Sequence, residues 1–166
     1  MGDFIANLGL GFATALTLSN LALCFTGCLI GTLVGVLPGV GPIATIAMLL
    51  PLTFKLDPTG ALIMLAGIYY GAQYGGSTTA ILANIPGEAT SVVTTLDGHP
   101  MARSGRAGVA LGIAALGSFF AGTVATLVIA ALGAPLTGIA LLFGPAEYAA
   151  LMTLGLAFSV VLARGP

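Results

Sequence analysis

The chain has 166 residues, of which 58% are hydrophobic and only 5% charged, with a formal net charge of −1. A soluble domain carries about a quarter charged residues, so this composition excludes a soluble protein and places the chain in a lipid bilayer. With only four Lys and Arg and no basic run, nothing points to nucleic acid.

The N-terminal MGDFIANLGLGF has no Lys or Arg ahead of its apolar segment, which argues against a cleaved signal peptide. Ala6 stands where N-myristoylation needs Ser or Thr. Phe4–Leu18 therefore reads as an interfacial or partly inserted helix. Apolar stretches follow at Leu21–Val36, Ile43–Phe54, Ala61–Tyr70, Val109–Leu132 and Leu136–Ala163. A spanning helix needs about 20 residues. The first stretch reaches that length with Leu16–Asn20, and the fourth spans comfortably. The fifth either spans with tilt or breaks near Gly144-Pro145. The second and third are too short to cross alone, which predicts re-entrant or broken helices.

The first helix, Leu16–Leu37, carries Gly27, Gly31 and Gly35, and Gly39 continues the spacing of four. Glycines at that interval leave a flat groove where another backbone can approach. The spacing returns at Gly67, Gly71 and Gly75, and briefly at Gly108 and Gly112. Cys24 and Cys28 lie on one face of the first helix without His or carboxylate and read as small packing residues rather than metal ligands.

Leu37–Pro42, LPGVGP, cannot continue a helix, because a proline disfavours helical geometry in the residue before it. Pro42 suits the first turn of a new helix. That helix would offer unpaired N–H groups and a positive dipole end near Ile43, a natural seat for a carboxylate or phosphate. Pro38, Gly39 and Gly41 are thus candidate substrate-binding positions. Lys55 and Asp57 form a short polar connector.

Gly71–Glu88, GAQYGGSTTAILANIPGE, is the most informative stretch. Gln73, Ser77, Thr78, Thr79 and Asn84 place five polar side chains within twelve residues of an apolar protein. Irregular polar backbone at membrane depth is tolerated only where protein buries it or a wet cavity adjoins it. Gly75-Gly76 predicts a helix break, and Ser77 an N-cap for a second half-helix. Half-helix ends across such a break hold anionic substrates and Na⁺ in several transporters. The competing reading of the hydroxyls is back-bonding to helix carbonyls. Gln73, Gly75, Gly76, Ser77, Thr78, Thr79 and Asn84 join the candidate substrate-binding set. Asn84 and Glu88 are the candidate coupling-ion residues, since Glu88 adjoins the break.

Ile85-Pro86-Gly87 ends this segment, Ala89–Leu96 reads as a short helix, and Asp97-Gly98 as a turn. Ser104 is the expected N-cap of the span beginning near Gly105. Glu88, Asp97, His99, Arg103 and Arg106 make up half of the Asp, Glu, Lys, Arg and His side chains. A solvated loop accounts for most of them. The positive-inside rule puts Arg103, Arg106 and Arg164 on the cytoplasmic side, and Lys55 with them only if Gly60–Ile85 is a hairpin. Glu147 either has a functional role within the membrane or caps a half-helix opening at Pro145.

Three segments then carry a resemblance: GTLVGVLPGVGPIATIAMLLPLTF, IYYGAQYGGSTTAILANIPGEATSVVTTLDGHPMARSGRAG and ALGIAALGSFFAGTV. Together they resemble the large membrane subunit of the tripartite tricarboxylate transporters, over essentially all 166 residues. The resemblance implies a polytopic all-α integral membrane protein, with residues 1–166 forming one transmembrane domain of a bacterial inner-membrane protein. It also implies an ion-gradient-driven secondary transporter importing citrate or related carboxylates. Its partners would be a small membrane subunit and a periplasmic substrate-binding protein, with Na⁺ or H⁺ as coupling ion and no other cofactor. Family members are considerably longer and carry a second half that repeats the first in inverted form. This chain thus reads as the N-terminal repeat of a truncated subunit, holding about half of any site between repeats. His99 stands where the family's DG-x-PMA pattern is expected to hold an aromatic. The contrasting reading is a non-transporting assembly subunit or inactive fragment that packs through its glycine ridges. An enzyme is disfavoured, because the single histidine has no evident nucleophile partner.

Overall fold

A computed structural model describes residues 2–163; Met1 and residues 164–166, including the predicted cytoplasmic Arg164, lie outside the described set. Every regular element among the described residues is helical. The helices are α1 (Gly2–Ala15), α2 (Leu18–Gly35), α3 (Gly41–Leu49), α4 (Pro58–Ala83), α5 (Val92–Met101), α6 (Ala107–Ala140) and α7 (Pro145–Ala163). Two compact units divide the chain, residues 1–117 and 118–166, with the boundary inside α6. Leu18–Gly35 and Ala89–Gly133 are long and apolar enough to cross a membrane.

The first unit is organised by α2 and α4. Each helix lays its glycine row on the backbone of the other. A Cβ at Gly27 would strike the carbonyl of Met64, one at Gly31 that of Ile68, and one at Gly35 that of Ala72. In return, Gly67 faces the Cys24 carbonyl and Gly71 that of Cys28, while a Cβ at Gly75 would lie 2.6 Å from the Thr32 oxygen. Residue numbers rise together along both helices, so α2 and α4 run parallel. The close approach removes side-chain volume and lets the backbones pack directly, which drives helix association in lipid, where apolar burial gives little. Met64, Ile68 and Ala72 are buried along this seam, whereas Phe25, Leu29 and Leu33 on α2 are exposed, as lipid-facing residues are.

Parallel neighbours require the intervening chain to retrace their length. The segment α3 makes that return, extended by a 3-10 turn over Leu50–Thr53. The short apolar stretch at Ile43–Phe54 is therefore a returning leg whose 3-10 turn stretches its rise to about 2 Å per residue. Asp57 then caps α4, its Oδ2 accepting from Gly60 N–H at 2.9 Å, and Pro58 occupies the first turn.

The third apolar stretch departs from expectation. No hairpin occurs in Gly60–Ile85 and no break at Gly75-Gly76, because α4 is one helix of 26 residues, about 39 Å long at about 1.5 Å per residue. Each glycine weakens a helix by about 1 kcal/mol, but here both are held by contacts that need them. Gly75 lies against α2, and Gly76 lies against Gly87. The helix stops where Asn84 turns left-handed, at φ 58°, one residue before Ile85, which Pro86 bars from helical geometry.

Lys55 and Glu88 consequently lie at opposite ends of α4, so Lys55 cannot share the side of Arg103 and Arg106 through a hairpin. A lone Lys55 is outweighed by the pair Arg103 and Arg106 in the Lys/Arg bias that orients the chain. In a background lacking Cys24 and Cys28, membrane-impermeant maleimide is expected to label Lys55→Cys and Ala89→Cys from opposite faces of the membrane. Labelling of both from one face would rule out the parallel arrangement.

Asp97-Gly98 is helical rather than a turn, since α5 runs on to Met101 with Pro100 inside it. The change of direction comes later, in a π-type turn over Ala102–Arg106 where Gly105 takes φ 82°. Ser104 is not an N-cap; its hydroxyl donates back to the Met101 carbonyl at 2.8 Å. In the second unit the chain breaks at Leu141–Gly144, and Pro145 opens α7. This resolves the choice left open for the fifth apolar stretch. Glu147 sits in the first turn of α7, where a carboxylate complements the positive end of the helix.

Candidate functional site

Two glycine-rich corners of the first unit meet. One is the α2–α3 corner, where Gly39 and Gly41 have φ of 84° and 63°, conformations that side-chain-bearing residues seldom adopt. The other is the α4–α5 corner, Asn84–Ser91. Gly39 N–H donates to the Gly87 carbonyl at 3.2 Å. A Cβ at Gly41 would lie 3.8 Å from Cβ of Glu88, and Gly76 abuts the Gly87 backbone. The LPGVGP and NIPGE breaks, forty-odd residues apart in sequence, thus form one clasp.

Helix α3 begins at this clasp. Its N-cap residue Val40 has no side-chain acceptor to offer, and Pro42 lacks an N–H, so the amides of the first turn have no partner within the helix. Glu88 is the acidic residue that approaches this end. The Glu88 Oε1 accepts from the Thr90 hydroxyl at 2.7 Å, and its backbone N–H donates to Ser91 Oγ at 3.2 Å. The carboxylate is thereby tied to its own turn, on a residue whose Cβ lies near the start of α3.

The polar row of α4 does not form a single patch. Successive helical residues are turned by about 100°, and the side facing α2 is taken up by Gly67, Gly71 and Gly75. Gln73 and Ser77 fall one turn apart on the opposite flank, where Gln73 Nε2 donates to Tyr69 Oη at 3.1 Å. The Thr78 hydroxyl donates to the Tyr74 carbonyl at 2.8 Å, and that of Thr79 lies 3.2 and 3.1 Å from the carbonyls of Gly75 and Gly76. For these two threonines the back-bonding reading describes the geometry. Asn84 is the exposed C-cap, its N–H directed to the Thr79 carbonyl.

Pro38 is exposed at the edge of the clasp. Gly75 belongs to the helix–helix seam rather than to any open surface, because it is buried against Thr32, Gly35 and Val36. Sequence reasoning overlooked Gly87 and Thr45. Gly87 supplies the acceptor of the clasp, and fully buried Thr45 on α3 donates to the Gly41 carbonyl at 2.7 Å. The run Ile85-Pro86-Gly87 marked the end of a segment, and nothing local indicated what it would touch. Among the described residues no group of three or more His, Cys, Asp or Glu could hold a metal ion.

Parallel glycine-packed helices, with an irregular glycine-rich clasp at their ends, define a helical membrane protein. The match to known families is specific. The model of the tripartite tricarboxylate transporter TctA family covers residues 21–166, and the chain belongs to that family. It is a transporter family and not an enzyme family, in agreement with the sequence reading. A curated relative from Agrobacterium vitis is described as an uncharacterized 52.8 kDa protein in the TAR-I ttuC′ 3′ region. It is 66% identical over 165 residues, which is 99% of this chain and 33% of the relative. The chain thus spans about a third of the relative's length. No solved structure matches it.

Proposed function

We propose that this chain forms part of the substrate-translocating membrane subunit of a carboxylate importer of the citrate or tricarboxylate type. Family membership supports this reading. The single structural observation that carries it is the clasp, where Gly39 N–H meets the Gly87 carbonyl beside the first turn of α3. Backbone amides there are available to a carboxylate, and the bare glycines let it come close. Gln73 and Ser77, on one flank of α4 near the level where α2 ends, supply directional hydrogen bonds. Asn84 and Glu88 are proposed to bind the coupling ion, Na⁺ or H⁺. The protein would work in the bacterial inner membrane as a multi-pass subunit, with a small membrane subunit and a periplasmic binding protein. The inverted-repeat architecture is part of the same proposal, with this chain contributing one repeat.

The assembly-subunit reading needs free glycine ridges. Those of α2 and α4 are occupied by each other within this chain, which leaves that reading the short row of Gly108 and Gly112 on α6, where nothing lies within 4 Å of either Cβ position.

The test is uptake of labelled citrate and a panel of other carboxylates by cells expressing the chain with its two partners. The chain as given is compared with one extended by a family second half. Saturable, ion-dependent uptake is expected from the extended protein. At normal membrane levels, Gln73→Ala or Ser77→Ala is expected to lower it about tenfold, the loss of one hydrogen bond to a charged ligand. Thr78→Val, whose hydroxyl is engaged by Tyr74, is expected to stay within about twofold. Undiminished uptake in both the Gln73 and Ser77 variants would remove α4 from the site.

A further inference from the structure

The α4–α5 corner contributes half of the clasp, yet only a short turn holds it in sequence. What anchors it is on α5. The last carbonyls of a helix have no partner within it, and Ile81 near the end of α4 is almost fully buried, at 1% exposure. A buried carbonyl without water needs a donor from elsewhere. Asn84 and Ile85 direct their N–H groups to Thr79 and leave the Ile81 carbonyl aside. The donor comes from eighteen residues downstream, where His99 Nδ1 lies 3.0 Å from the Ile81 oxygen. A carbonyl only accepts, so the ring carries its proton on Nδ1 there, and Nε2 is the free position. Next to it, Gly98 brings α5 so near that a Cβ would lie 2.8 Å from Ile81 Cγ1.

We infer that His99 is a positioning residue of the transport site, docking α5 on the end of α4 and thereby holding Gly87 and Glu88 opposite Gly39 and Gly41. The inference builds on the proposed transport function for its consequence but not for its geometry. Gly98 and His99 address the same residue of α4, one meeting its side chain and the other its carbonyl. With both ends of residues 84–91 tied to α4, the Gly87 carbonyl is held where Gly39 N–H reaches it. Without the His99 bond the α5 end of the corner would be held by packing alone, through Gly98 against the Ile81 side chain. This hydrogen bond depends on the imidazole, which stands where an aromatic side chain is expected from the family pattern.

The experiment is amide hydrogen–deuterium exchange, followed by mass spectrometry, on the full chain in lipid nanodiscs, for wild type, His99→Ala, His99→Asn and His99→Phe. Exchange in residues 84–91 is expected to rise about tenfold or more in His99→Ala, since a buried carbonyl is left unpaired. The Asn amide can place an N–H near the position of Nδ1, so His99→Asn is expected to restore protection, and His99→Phe is not. Exchange in the α2–α4 seam is expected to be unchanged in all four, which separates local release from unfolding. Restoration by Phe but not Asn, or no change in His99→Ala, would overturn the inference and leave His99 a space-filling ring. Because the readout does not involve uptake, it stands or falls apart from the transport proposal. In the extended, transport-competent protein, His99→Ala is further expected to raise the KM for carboxylate several-fold while Asn keeps it near wild type.

Discussion

Gly71→Leu is expected to remove most of the folded protein from mild-detergent extracts, with the largest loss of stability of any single substitution in the first unit. A Cβ at Gly71 would run into the carbonyl of Cys28 and come 2.8 Å from the Thr32 nitrogen, both backbone atoms of α2. No rotamer change relieves a clash with backbone. The helices must separate, and every other contact along the seam loosens with them. Overpacking a well-fitted interior costs about 1–3 kcal/mol, and this site belongs at or beyond the top of that range. Gly31→Leu meets the Ile68 backbone from the other side and is expected to behave alike. Gly112→Leu on α6, with nothing within 4 Å of its Cβ position, is the matched control and is expected to be near neutral. Size-exclusion profiles and thermal melting of the three variants would decide it. Equal profiles for Gly71→Leu and Gly112→Leu would mean that α2 and α4 do not pack as described.

Glu88→Gln is expected to lower ion-dependent carboxylate uptake in the extended protein by at least about tenfold, equivalent to about 1.4 kcal/mol, with membrane levels unchanged. The substitution keeps the shape and the acceptor for Thr90 while removing the charge beside α3. Partial uptake is expected from Glu88→Asp, which keeps the charge on a shorter stem. Thr90→Val separates two roles, because it deletes the hydroxyl that donates to Glu88 Oε1. Should Thr90→Val match Glu88→Gln, the carboxylate serves its local turn rather than the ion. Loss in Glu88→Gln alone would place the charge itself in the transport cycle.

Composition alone determined that this is a membrane protein, since 5% charged residues cannot clothe a soluble fold, and the lengths of its apolar stretches made it helical. The stop after α4 was also legible at Pro86, and a break at Pro145 was one of the two readings open for the last apolar stretch, because a proline restricts backbone geometry whatever surrounds it. The glycine rows announced close helix packing, again a property of the residues themselves.

Which partner each row would meet was a different matter. Only the tertiary structure paired Gly31 with Ile68 and Gly71 with Cys28, and from that pairing followed the parallel course of α2 and α4. The same contacts overrode the local preference of Gly75-Gly76 to stop a helix. A propensity of about 1 kcal/mol per glycine is small beside the packing that an uninterrupted α4 permits. The hydroxyls of Thr78 and Thr79, which looked like lining for a cavity, turned inward to carbonyls once the helix continued. Conversely, Gly87 and His99 carried no local signal, because their roles lie in acceptors and donors supplied across space by Gly39 and Ile81. Local sequence sets where a backbone can bend. Which bends meet is decided by the contacts that only the folded chain brings together.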